Sequence, residues 1–139
     1  MSSPRRPKSA SSFATCTVLA ALLCVTLHAT AQDSNDAVIG KALYEAKCSA
    51  CHSADANRTG PLHRGVVGRP VASVPGFSYS PALRRLGGVW TPARLDLWLQ
   101  NPQAVASGST MYLTVDDPVQ RRQIIAYLST LLAPPQTGK

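Results

Sequence analysis

Cys48-Ser49-Ala50-Cys51-His52 is the segment of this chain whose residue types can do chemistry together. Two thiols followed at once by a histidine form C-x-x-C-H, the pattern of covalent haem attachment. Each thiol can add to a porphyrin vinyl group and make a thioether, and the two residues between them match the thiols to one edge of the ring. The next side chain then lies beneath the metal, where an imidazole nitrogen can ligate iron. Other chemistries fit less well. A redox dithiol of the thioredoxin kind needs a βαβ setting, and no stretch alternates as a strand. A zinc site needs four ligands; Cys48, Cys51, His52 and His63 make up that number, at an unusual spacing.

Residues 1–31 read as an export signal. Arg5, Arg6 and Lys8 precede an uncharged run with its apolar centre at 18–27, and Ala29-Thr30-Ala31 closes it as an A-x-A cleavage site. The apolar centre is shorter than the roughly 20 residues of a spanning helix; a retained leader acting as a membrane anchor is the alternative. The predicted organisation is a cleaved signal peptide, 1–31, and one domain, 32–139, with its core at about 37–131. Cleavage predicts a periplasmic protein with no membrane span. It removes Met1, Cys16, Cys24 and His28, so Met111 becomes the only methionine.

That makes Met111 the natural second axial ligand for a six-coordinate iron. Two other readings stay open: Met111 fills a gap in the core, or His63 is the ligand. His63 lies so soon after His52 that it is expected on the same side of the ring.

The chain has 139 residues, with 14 Lys and Arg against 7 Asp and Glu. Three of the basic residues lie in the leader. The remaining excess is spread out, without the basic cluster or recognition helix of a nucleic-acid binder. It suits a weakly acidic protein partner, with Arg64, Arg84 and Arg85 as contributors and a rate that salt weakens.

The elements that must position these residues are helical. Residues 36–47 carry Val38, Ile39, Ala42, Leu43 and Ala46 at helical spacing, an expected buried face; Gly40 among them implies a helix crossing closely. From 53 to 90 glycine and proline dominate, with a short helix at about 81–86. So long an irregular stretch needs something to organise it, and a haem supplies that missing core. Thr91-Pro92 opens a helix bearing Leu95, Trp98 and Leu99, which Asn101-Pro102 ends. Asp117-Pro118 opens the last, with Val119, Ile124, Tyr127, Leu128 and Leu131 as its inner stripe. The expected fold class is all-α, three main helices and long loops around one covalent haem.

An ordered series of motifs resembles class I c-type cytochromes, the cytochrome c and cytochrome c2 family. It comprises Gly40 and Tyr44, the haem motif, Thr59-Gly60-Pro61, Gly65, Gly68-Arg69, Pro75-Gly76-Phe77-Ser78-Tyr79-Ser80, Gly88-Val89-Trp90, Asn101-Pro102, Gly108 with Met111, and Ile125-Ala126-Tyr127-Leu128. The resemblance implies one haem c bound through Cys48 and Cys51, with His52 and Met111 on the iron. It implies that the Pro61 carbonyl accepts from His52 Nδ1, and that Arg69, Tyr79 and Trp90 surround a buried propionate. A carboxylate in a low-dielectric interior is costly unless it is paired or hydrogen-bonded.

Several positions depart from the pattern. His63 stands where an apolar haem contact is usual, with Leu62 the residue expected to fill that space. Trp98 stands where a tyrosine often approaches the methionine sulfur, and its donor-only N–H puts that contact in question. Leu83 replaces an asparagine of the polar network. Ser107 replaces a proline, predicting a looser methionine loop, and the lysine-rich segment beyond is absent.

The implied function is one-electron transport between redox proteins by a monomer that is not an enzyme. A dedicated electron-transfer subunit of a periplasmic dehydrogenase or oxidase is the alternative. A ligand-binding or peroxidase-like haem protein is a lesser one.

Overall fold

Residues 33–132 are described by the computed structural model of the protein, so the leader and the final residues fall outside the described part. Helix α1 occupies 33–47, α2 Pro81–Leu86, α3 Pro92–Gln100, α4 Pro102–Val105 and α5 Pro118–Thr130. Long connections join them. Among the described residues there is no strand, only an isolated bridge between Pro70 and Val89. The three main helices and the short α2 match expectation, and α4 is a short addition.

The helix starts are encoded locally. Ser80 Oγ accepts from Leu83 N–H, Thr91 Oγ1 from Arg94 N–H, and Asp117 Oδ1 from Val119 N–H. Asn101 Oδ1 accepts from both Gln103 and Ala104 N–H. A proline follows each cap, where its missing N–H costs nothing and its fixed φ already suits a helix. Asn101-Pro102 therefore does more than end α3. The same pair starts α4.

Helix α1 crosses α5 at Gly40. A Cβ there would lie 1.8 Å from the Gln123 carbonyl oxygen, so only glycine lets the backbones meet. The inner face of α1 is Asp36, Gly40, Tyr44 and then Cys48 just beyond its end, all buried. This corrects the apolar face expected from the sequence, since Val38 is 72% exposed, Ile39 is exposed, and so are Ala42 and Ala46. The face turned inward is set by backbone proximity and by an ion pair. Asp36 accepts from Arg122 Nε at 2.9 Å and from Gln123 Nε2 at 3.4 Å.

Helix α3 packs on α5. Leu95, Trp98 and Leu99 are buried against Ile124, Ile125 and Leu128. Ile124 is fully enclosed, worth about 1.5–3 kcal/mol of apolar burial. Val119, expected in this stripe, is exposed. Arg121 is buried instead. Its Nε donates to Asp96 at 2.7 Å, and Nη1 donates to the carbonyls of Val115 and Asp116. Among the described residues no helix is long and apolar enough to cross a membrane.

Candidate functional site

The haem motif folds as the turn that ends α1. Cys48 N–H donates to Tyr44 O, and Cys51 and His52 N–H both donate to Cys48 O. The turn buries Cys48 and exposes Cys51, and neither is in a disulfide. Burial pushes the Cys48 thiol up to about 11, against the pull of Lys47.

His52 is held in one orientation. Its Nδ1 lies 2.8 Å from Pro61 O. A carbonyl can only accept, so Nδ1 carries the proton and Nε2 keeps its lone pair for a metal. Gly60 lies against the ring, and a Cβ there would come within 2.2 Å of Cε1. Burial moves His52 protonation below the ordinary histidine range, and the bond to Pro61 opposes this.

His63 stacks on His52, with ring centroids 4.1 Å apart at 19°. Its Nδ1 lies 3.2 Å from the Tyr44 hydroxyl. His63, not Leu62, lines the cavity beside the motif, which overturns the expectation for Leu62. Burial holds its protonation well below the usual range, reinforced by His52 and Arg69.

A cavity of about 280 Å³ opens beside the motif. Cys48, Cys51, His52, Pro61 and His63 form one part of its wall, and Thr110, Met111, Tyr112 and Leu113 another. Arg69, Tyr79 and Trp90 line it as well, so every predicted site residue is brought to one space. Leu95, Trp98, Leu99, Ile124 and Leu128 add an apolar stretch of wall, and Lys47 also lines the cavity. No Asp or Glu lines it, and Arg69 has no ion pair among the described residues. Its guanidinium donates to the carbonyls of Arg64 and Leu62, and desolvation disfavours its charge. An apolar cleft with two thiols at one edge, a nitrogen lone pair, a thioether and a cation without a counter-charge fits an iron porphyrin with its propionates.

The Trp98 indole Nε1–H donates to Met111 Sδ at 3.2 Å. The donor-only side chain is thus matched to an acceptor, and the contact questioned from sequence is made. The loop carrying Met111 is not loose either. Gln103, which sequence reasoning missed, bonds to it at several points. Only its position just before an uncharged glycine loop could have drawn attention to it.

The four residues considered for zinc do not form a cluster. Among the described residues no group of three or more His, Cys, Asp or Glu is gathered as a metal site would need.

The family model for cytochrome c matches residues 37–132. The chain belongs to the cytochrome c family. Cytochrome c2 of Rhodopila globiformis is 42% identical over 99 residues, which are 69% of this chain and 93% of that one. A c-type cytochrome cy of Rhodobacter capsulatus is 41% identical over 100 residues, 70% of this chain but only 50% of the longer relative. Among solved structures, cytochrome cH from Methylobacterium extorquens superposes with a TM-score of 0.65 at 36% identity, covering 68% of this chain and 97% of that one. This cytochrome carries one covalent haem c, with Cys48 and Cys51 at the family's attachment spacing, and is a monohaem electron carrier of all-α fold.

Proposed function

We propose that this cytochrome is an exported, periplasmic shuttle that passes single electrons between redox proteins, with His52 and Met111 as axial ligands. The observation that carries the ligation is the Trp98 N–H on the Met111 sulfur within the cavity that His52 also lines. A thioether used only as filler needs no hydrogen-bond donor. Cytochrome c2 and cytochrome cH relatives support the carrier role and its setting.

When bound, the haem supplies a one-electron Fe(III)/Fe(II) couple. The chain's residues adapt that couple to transport. Cys48 and Cys51 hold the ring edge, so the cofactor is not lost outside the cell. Pro61 keeps the His52 proton on Nδ1 and its lone pair toward the metal. Met111 offers a soft sulfur that favours Fe(II) and raises the potential. Arg69, Tyr79 and Trp90 are assigned to a propionate. The Tyr79 hydroxyl already accepts from Val74 N–H, which leaves its own proton to donate. With His52 and Met111 both on the iron, no position would remain for an entering substrate, which suits a carrier rather than an enzyme. The mature protein acts as a monomer that meets its donor and acceptor through small, transient contacts.

Near-infrared magnetic circular dichroism of the ferric holoprotein tests the ligation. The expected spectrum shows a sulfur-to-iron charge-transfer band that Met111→Ala abolishes. A bis-histidine spectrum, or one that Met111→Ala leaves unchanged, overturns the assignment.

A further inference from the structure

The loop that presents Met111 contains Gly108 at φ +86° and begins after Ser107, with no proline to stiffen it. What holds it is one carboxamide from α4. Gln103 Oε1 accepts from Gly108 N–H at 3.1 Å. Gln103 Nε2 lies 3.0 Å from Ser109 O, 2.9 Å from Ser109 Oγ and 2.9 Å from Met111 O. Ser109 is itself 2% exposed, and its hydroxyl lies 3.4 Å from the same Met111 carbonyl. The amide thus engages the loop with both its ends, an acceptor toward one residue and a donor toward two others. Its base is anchored too, because Asn101 caps the helix that carries it.

We propose that Gln103 is a positioning residue for the axial methionine. It fixes the backbone of 108–111, and so the place where the Met111 sulfur stands, in a loop that lacks its own stiffening. This rests on Met111 being the ligand. The amide group is required, not merely the volume, because a donor and an acceptor are used together. The residues it touches carry no titratable group, and no charged side chain stands between Leu97 and Val115.

The test uses the ferric holoprotein, with imidazole as the entering ligand. Imidazole reaches the iron only after the sulfur leaves, so its binding rate reports the opening of the loop. Gln103→Ala should bind imidazole about tenfold faster or more, equivalent to about 1.4 kcal/mol of lost closure. Gln103→Glu keeps the shape. Ionised, it sets a carboxylate against the Ser109 and Met111 carbonyls; protonated, it can donate again. Taken as a ratio to wild type at the same pH, so that the protonation of imidazole itself cancels, its imidazole rate should be near one in acid and rise with pH through the carboxyl titration, at or above the ordinary value of about 4.3.

A space-filling side chain would produce no such profile. A pH-flat ratio of the Gln103→Glu rate to the wild-type rate overturns the proposal whatever Gln103→Ala does, and Gln103→Glu prepared in acid serves if Gln103→Ala fails to hold haem. Met111→Ala separates the two readings. If it leaves both the charge-transfer band and the imidazole rate unchanged, the ligand assignment falls and the clamp falls with it. If it abolishes the band while the Gln103 variants behave as wild type, the ligand assignment stands and the clamp alone is wrong.

Discussion

The hydrogen bond from Trp98 to Met111 draws electron density from the sulfur. With Met111 on the iron as proposed, that would weaken its donation to Fe(III) more than to Fe(II), so the bond would raise the potential. Trp98→Phe keeps the ring and removes the donor. The potential should fall by an amount on the order of tens of millivolts, since one net hydrogen bond is worth about 1 kcal/mol; equilibrium redox titration measures it. Gly60→Ala acts on His52, the other proposed ligand. The new methyl would overlap the His52 ring, so the ring must turn or the 60–61 backbone must retreat from Nδ1. The expected result is a shifted ferric electron-spin resonance spectrum and weakened retention of the ring orientation. At this scale much was legible in the chain. Cys48, Cys51 and His52 are recognisable by type and spacing and Met111 as the one methionine beyond the leader, whereas Pro61 follows only from the family resemblance. Trp98 was legible as a neighbour of the sulfur but not as its donor, because the direction of an indole N–H depends on packing. Gln103 was not legible, because nothing in a glutamine's identity tells which backbone it will bond to.

The crossing of α1 and α5 combines a steric requirement with an electrostatic one. Gly40→Ala would force the helices apart at Gln123, an overpacking cost of about 3 kcal/mol read as a lower denaturant midpoint of the holoprotein. Asp36 adds a pH dependence. The Arg122 hydrogen bond, assisted by Gln123 and opposed by burial, holds its carboxyl below the usual carboxylate range. A depressed acid stabilises the fold above its unfolded value of about 3.9, and that contribution is lost as pH falls through the folded value. Asp36→Asn should therefore be less stable at neutral pH and lose less on acidification below about pH 4, as followed by thermal unfolding. The crossing was foreseen from Gly40, but the inward face of α1 was misread. Apolar periodicity points to Val38 and Ile39, whereas the face is chosen by where a backbone can approach and where a carboxylate finds its arginine. Thr91-Pro92 and Asp117-Pro118 were readable because a cap acts within one turn.

Across the whole molecule, several arginines are tied to partners, while Lys47 and Arg69 line the cleft. Arg64 is paired with Asp55, Arg84 donates to the Tyr79 carbonyl, and Arg121 and Arg122 are tied to Asp96 and Asp36. The lip formed by Thr110, Met111, Tyr112 and Leu113 is uncharged, with Tyr112 73% exposed. Oxidation of the ferrous protein by ferricyanide should therefore slow by less than about threefold between low salt and ~0.5 M, where a strongly steered cleft would change tenfold or more. Stopped-flow absorbance gives the ratio. This expectation rests on the uncharged lip rather than on the net charge. The four cap-and-proline pairs carry a different consequence. Each helix after the attachment motif takes its rotational phase from two adjacent residues of its own. The spans between them can therefore lengthen or shorten without re-aiming any inner face, and the scaffold behaves as self-starting rods on tolerant spacers.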